Sequence, residues 1–227
     1  MKEILKFLEE LEINNKREWF DVHREEYQKI RKEVLALADR LIKEISKFYD
    51  LWDEIRPNDC IFRINRDTRF SKDKTPYKTN FWIEITPTWK RGWLPCFYLH
   101  IQPGNQSFIA WWLYMPESKT TGIIREWIDK KWKDLKKIID KILKTEQFYL
   151  YDEAVKTAPR WYKKDNPNIE LLKLKHRIVE KPLSDKDIIS KDFEKNLISD
   201  FKKISPFVWW MQNIIDKAFS IDNSGLI

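Results

Sequence analysis

Glycine is scarce in this chain: the 227 residues hold four, at positions 92, 104, 122 and 225. They stand too far apart for a G-x-G-x-x-G turn or a Walker loop, which close a backbone on phosphate with clustered glycines. A dinucleotide-binding enzyme and a P-loop NTPase are therefore not expected. Cysteine is scarcer still, with Cys60 and Cys96 alone. No C-x-x-C pair exists, so a zinc ribbon or a thioredoxin-like redox site has no ligands, and two reduced thiols are expected. The three histidines, His23, His100 and His176, form no H-x-H, H-x-x-x-H or H-E-x-x-H pair. No metal is expected on that pattern, and no cofactor is implied. A G-x-S-x-G elbow for serine catalysis is missing as well. The longest apolar run, residues 109–115, is far too short to span a bilayer. Met1-Lys2-Glu3 opens a charged amphipathic segment rather than a signal peptide. A soluble, cytoplasmic protein with no membrane partner is the expectation.

Aromatic residues and charge are what the chain has in quantity. It carries 12 Trp, 13 Phe and 8 Tyr, and 42% of its residues are apolar. That suffices for one sizeable core without disulfide staples. Lys and Arg number 43 against 36 Asp and Glu, a formal charge of +7.

Hydrophobic spacing divides the chain in three. Residues 3–11 place Ile4, Leu5, Leu8 and Leu11 on one helical face. Asn14-Asn15 then offers a cap, with Glu18 in capping-box position. From Trp19 through Tyr27, Ile30, Val34, Leu37, Leu41 and Ile45 to Phe48 the period predicts one long helix, or two with a bend. Alternation follows over residues 80–86 and 96–102, and a third strand runs over 106–115 after the Pro103-Gly104-Asn105 turn. Connected this closely, the strands form an antiparallel meander, since a parallel pair needs a long crossover. Cys60 to Ile64 reads as a fourth strand. Helical spacing returns over 120–144, a strand is expected near His176 to Val179, and Ser190 caps a further helix that Pro206 interrupts. The fold class is α+β: one domain over residues 1–227, with a central antiparallel sheet packed by N- and C-terminal helices. Its parts are a helical 1–50, a sheet with a basic motif at 58–116, and a helical and mixed 117–227.

Most of the excess charge falls in one place. Between positions 63 and 91 stand eight cations and three acids. Arg63, Arg66 and Arg69 offer forked donors that suit a phosphate or carboxylate better than an ammonium does. Lys72, Lys74 and Lys78 add charge, Asp67 and Asp73 can orient the cations, and Phe70, Pro76 and Tyr77 are mixed in. Two readings are open: a solvated loop of local Arg–Asp pairs, or a loop that binds a small anion. On the second, Arg63, Arg66, Arg69, Lys74 and Tyr77 converge on one pocket at the sheet edge.

The run Arg63-x-x-Arg66-Asp67-x-Arg69-Phe70-Ser71-Lys72-Asp73-Lys74-x-Pro76-Tyr77-Lys78 resembles the signature of an uncharacterised bacterial family, domain of unknown function 2461. Further matches lie at Asn15 to Phe20 with His23 and Tyr27, at Tyr98-Leu99-His100-Ile101-x-Pro103-Gly104, and at Ala158-Pro159-Arg160 through Leu171-Leu172-x-Leu174-Lys175. The resemblance covers nearly the whole chain and implies no particular activity. It departs at Asp165-Asn166-Pro167, where the family often carries a histidine.

The residues themselves point to recognition of a small phosphorylated or carboxylated ligand by Arg63, Arg66, Asp67, Arg69, Lys72, Asp73, Lys74, Tyr77 and Lys78. Glu84 and His100, on neighbouring strands above that loop, are the candidate acid and base for hydrolytic or transfer chemistry. Single-stranded nucleic acid is the competing partner, with Trp82, Trp89, Trp93, Trp111 or Trp112 as stacking platforms. A protein-interaction groove lined by the Trp-rich strands is the third reading.

Overall fold

The structure, a computed structural model, describes residues 1–51, 55–86, 95–113, 116, 118–145 and 147–224, and of Trp112 and residues 217–224 the backbone alone. Trp89, Lys90, Arg91 and Trp93 lie outside the described residues. The helices are α1 (Lys2–Ile13), α2 (Arg17–Val22), α3 (Arg24–Ile45), α4 (Pro57–Cys60), α5 (Ser118–Leu143), α6 (Ile169–Lys173), α7 (Asp185–Ile189) and α8 (Phe193–Ser224). The strands are β1 (Phe81–Ile85), β2 (Cys96–Ile101), β3 (Ser107–Leu113), β4 (Tyr149–Leu150) and β5 (Arg177–Leu183). The fold is α+β, with the antiparallel strands in the order β1-β2-β3-β5-β4. No described helix is long and apolar enough to cross a membrane.

The chain groups into two compact units. The first holds residues 1–89, 98–109 and 182–200. Its helical core is built from Ile4, Phe7, Leu8 and Leu11 of α1 with Tyr27, Ile30, Val34, Leu37 and Leu41 of α3, all buried. An aromatic cluster adds to it: Phe7 packs on Trp19, Phe20 and Tyr27, and Tyr27 stacks 6.4 Å from Phe81 of β1. Of the two expected forms the chain takes the second, two helices with a break at His23, whose φ of −96° and ψ of 14° leave the helical well. Asn15 is not the cap. Lys16 holds that position, without a side-chain cap.

β1 alternates as its sequence requires. Phe81, Ile83 and Ile85 are buried, while Trp82 and Glu84 are half-buried on the other face. The expected fourth strand is reduced to one antiparallel bridge, Ile61 to Ile83, because Pro57 to Cys60 coils into a helical turn. The turn between β2 and β3 needs positive φ twice, and Gly104 (75°) and Asn105 (58°) supply it. Asp185 fixes this turn by accepting the N–H groups of Gly104 and Asn105 at 2.9 and 3.1 Å, and its own N–H donates back to Asn105 Oδ1. Ser184 and Asp187 close a capping box at the start of α7.

The second unit holds residues 90–97, 110–181 and 201–227. Trp111 packs edge-on against Phe207 at 4.6 Å, and Phe97 against Phe201 at 5.3 Å. β4 and β5 pair antiparallel, Tyr149 opposite Glu180. α5 covers the expected helix with a kink at Lys131. α8 differs from expectation: it runs through Pro206. A proline cannot donate to the carbonyl four residues back. Here that carbonyl, of Lys202, instead accepts the Ser205 hydroxyl at 2.8 Å. Ser190 ends α7 rather than beginning α8, and its Oγ accepts the Asp192 N–H.

Candidate functional site

The basic segment folds back on itself as a loop closed at its neck. Asn65 and Tyr77 form an antiparallel bridge; Arg66 N–H donates to Pro76 O at 2.9 Å, and Lys78 N–H to Ile64 O at 2.8 Å. The neck is clipped to the link between α1 and α2. Asn15 Nδ2 donates to Tyr77 O at 2.9 Å, and Tyr77 N–H donates to Asn15 Oδ1 at 3.1 Å. The Tyr77 ring is buried and stacks on Phe20, with centroids 4.0 Å apart. This tyrosine is an anchor.

Within the loop, most charges find one another. Arg66 Nη1 donates to Asp73 and to the Thr75 hydroxyl. Asp67 takes Arg69 from both Nε and Nη2, at 3.0 and 2.6 Å, and also accepts its backbone N–H. Lys74 Nζ donates to Thr68 O at 2.8 Å. Phe70 stands 95% exposed at the tip, next to Arg69. Of the five residues expected in one pocket, Tyr77 is buried in the core and Arg69 is paired with Asp67.

Asp73 shows what this internal pairing is worth to the loop. The Thr75 N–H, then Arg66 and the Thr75 hydroxyl, hold its carboxyl at about 2, below the ordinary 3.8. A carboxyl depressed in the folded state contributes stability above its unfolded value and loses it as pH falls toward the folded one. The stability difference between the parent and Asp73→Asn is therefore expected in full above about pH 5, shrinking between about pH 4 and 2 and gone only below about pH 2. Urea denaturation of both proteins across that window is the check.

Two cations at the neck are different. Lys78 Nζ donates to Arg63 O at 2.8 Å and lies over the rings of Trp82 (4.8 Å) and Phe62 (5.5 Å). Burial, and then the nearby Arg63 charge, push its ammonium below the usual lysine value. Among the described residues, neither Arg63 nor Lys78 forms an ion pair.

Beside them lies one face of β1, β2 and the start of β3. Tyr98 Oη–H donates to His100 Nδ1 at 3.2 Å, and His100 Nε2–H donates to Gln102 Oε1 at 2.8 Å. Gln102 in turn donates to Gln106 Oε1. His100 is 8% exposed and stacks on Phe108 at 4.7 Å. Burial lowers its pKa below the ordinary histidine value, against the smaller opposing effect of Gln102, and so favours the neutral imidazole. Both of its nitrogens are in use. Glu84 is half-buried on β1, two residues from Trp82. Of the tryptophans considered as base platforms, Trp111 is fully buried, and Trp82 is covered by Lys78 and by the edge of Phe62.

Residues 3–210 match the model of a family described as a conserved hypothetical protein, domain of unknown function 2461. The chain belongs to that family. No curated protein and no solved structure matches it. The membership agrees with the resemblance carried by the basic segment. Sequence reasoning missed the roles of Asn15, Phe62, Trp82 and Gln102. The paired asparagines at 14 and 15 were the available signal, read there as a helix cap.

Proposed function

We propose that the protein binds a small phosphorylated or carboxylated ligand at the neck of the basic loop, with Arg63 and Lys78 supplying the charge. The observation that carries this reading is the pair of like charges, one of them half-buried, that act on each other with no ion pair to either among the described residues; Asp67 feels the Arg63 charge but is bound by Arg69. Holding two cations together costs free energy that an anion between them would relieve. The indole N–H of Trp82 is also buried without an acceptor, a further donor near the same place. Arg66 with Asp73, Arg69 with Asp67, and Lys74 on Thr68 shape the loop that presents these groups. Lys72 adds exposed charge at the loop's tip. No reaction is assigned, because both nitrogens of His100 are engaged, by Tyr98 and Gln102.

A binding screen of nucleotides, sugar phosphates, small carboxylates and oligonucleotides, repeated as salt is raised, tests the proposal. One small anion neutralises few charges, so the expected result is a shallow salt slope with strong chemical selectivity. A surface tracking the phosphates of a single strand would instead lose roughly 0.7 log units of affinity per log unit of salt for every phosphate neutralised. Affinity that grows with strand length along such a slope would replace the small anion with single-stranded nucleic acid.

A further inference from the structure

We infer that Glu10, His23 and Glu26 form a binding site for one divalent transition ion of the zinc or manganese class. The three side chains each offer one ligand atom, and these atoms all lie within 4.8 Å of one another. They come from three places in the first unit: the last turn of α1, the break between α2 and α3, and the first turn of α3. All three are half-buried. The sequence shows no ligand pattern because Glu10 and His23 meet only once the helices fold together.

The histidine is set as a metal ligand would be. Its Nδ1 lies 2.8 Å from Trp19 O. A carbonyl only accepts, so Nδ1 carries the hydrogen, and the neutral tautomer this selects leaves the lone pair on Nε2. Metal-binding histidines are oriented by this kind of outer hydrogen bond. The Trp19 ring stacks on the imidazole at 3.9 Å with the planes 16° apart, which fixes its orientation. Two carboxylates gathered beside one imidazole repel each other, and among the described residues Glu10 is offset only by an exposed pairing with Lys6 at 3.7 Å. A divalent ion would neutralise both.

The donor set narrows the ion. One imidazole and two carboxylates, with no thiolate, suit zinc, manganese or iron(II) better than copper(I), and the imidazole disfavours magnesium and calcium. Three protein ligands leave at least one position for water or a substrate oxygen. The site is independent of Arg63 and Lys78, so either proposal can fail alone.

Chelator-stripped protein is titrated with Zn²⁺ against a chromophoric competitor, and with Co²⁺ by visible absorption. One equivalent is expected to bind. Glu10→Gln, Glu26→Gln and His23→Gln should each weaken it at least about tenfold, since even groups that merely orient a ligand are worth that much. His176→Gln, which breaks the separate His176–Glu153 pair, should leave it unchanged. Urea denaturation of the metal-free variants verifies that each is folded. No stoichiometric binding by the parent, or binding that survives all three substitutions, overturns the site.

Discussion

Tyr77→Ala is expected to lower the free energy of unfolding by about 3–5 kcal/mol, the range for removing a large buried aromatic ring. Tyr77 is 6% exposed, and its ring stacks on Phe20, which also packs against Phe7 and Tyr27. The loss reaches from the basic loop into the helical core. Asn15→Ala should cost about 2–6 kcal/mol, because it leaves the Tyr77 N–H and C=O without partners at roughly 1–3 kcal/mol each. Asn15→Asp keeps the acceptor and loses the donor, so it should fall between. Tyr77→Phe keeps the ring and should be nearly neutral for both stability and anion binding. Chemical denaturation of the four variants checks the ranking. A Tyr77→Phe protein that folds normally but loses ligand affinity would make the hydroxyl a ligand contact.

Local regularities carried most of the fold. The 3.6-residue period located α1, α3 and α5, because each helix buries one face; the period of two located β1, which does the same, and β2, which is buried on both, and the Pro103-Gly104-Asn105 turn placed β3. Failures occurred where a side chain overrode the local rule. Ser205 replaces the hydrogen bond Pro206 cannot make, so α8 continues where the sequence predicts a break. Asn15 has the composition of a cap but spends its amide on a backbone 62 residues away. For the site, the cluster of charge was legible and its internal pairing was not. Arg69 and Asp67 are two residues apart and satisfy each other, while Arg63 and Lys78 are 15 apart and meet only because the loop closes. The Glu10, His23 and Glu26 cluster was invisible for the same reason.

Arg63→Ala with Lys78→Ala is expected to abolish measurable anion binding while the protein stays folded. Hydrogen bonds from charged donors are worth about 1.5–3 kcal/mol each, so each single change should weaken binding roughly tenfold to a hundredfold. Lys78→Ala should also disturb the packing of Trp82, since the lysine stem and ammonium cover its ring. Lys78→Met retains that cover and removes the charge, which separates the two effects. Arg69→Ala should cost less, because Asp67 already holds that guanidinium through two of its nitrogens.

Calorimetric titration of the tightest small anion from the screen into the parent and the Arg63→Ala/Lys78→Ala protein, at low and at raised salt, decides whether the neck is the binding site. The parent should take up one equivalent with modest loss of affinity as salt rises, and the double variant should give no binding heat. Equal affinity in the two proteins would show that Arg63 and Lys78 have no part in holding the ligand, and the basic segment would then be a structural loop.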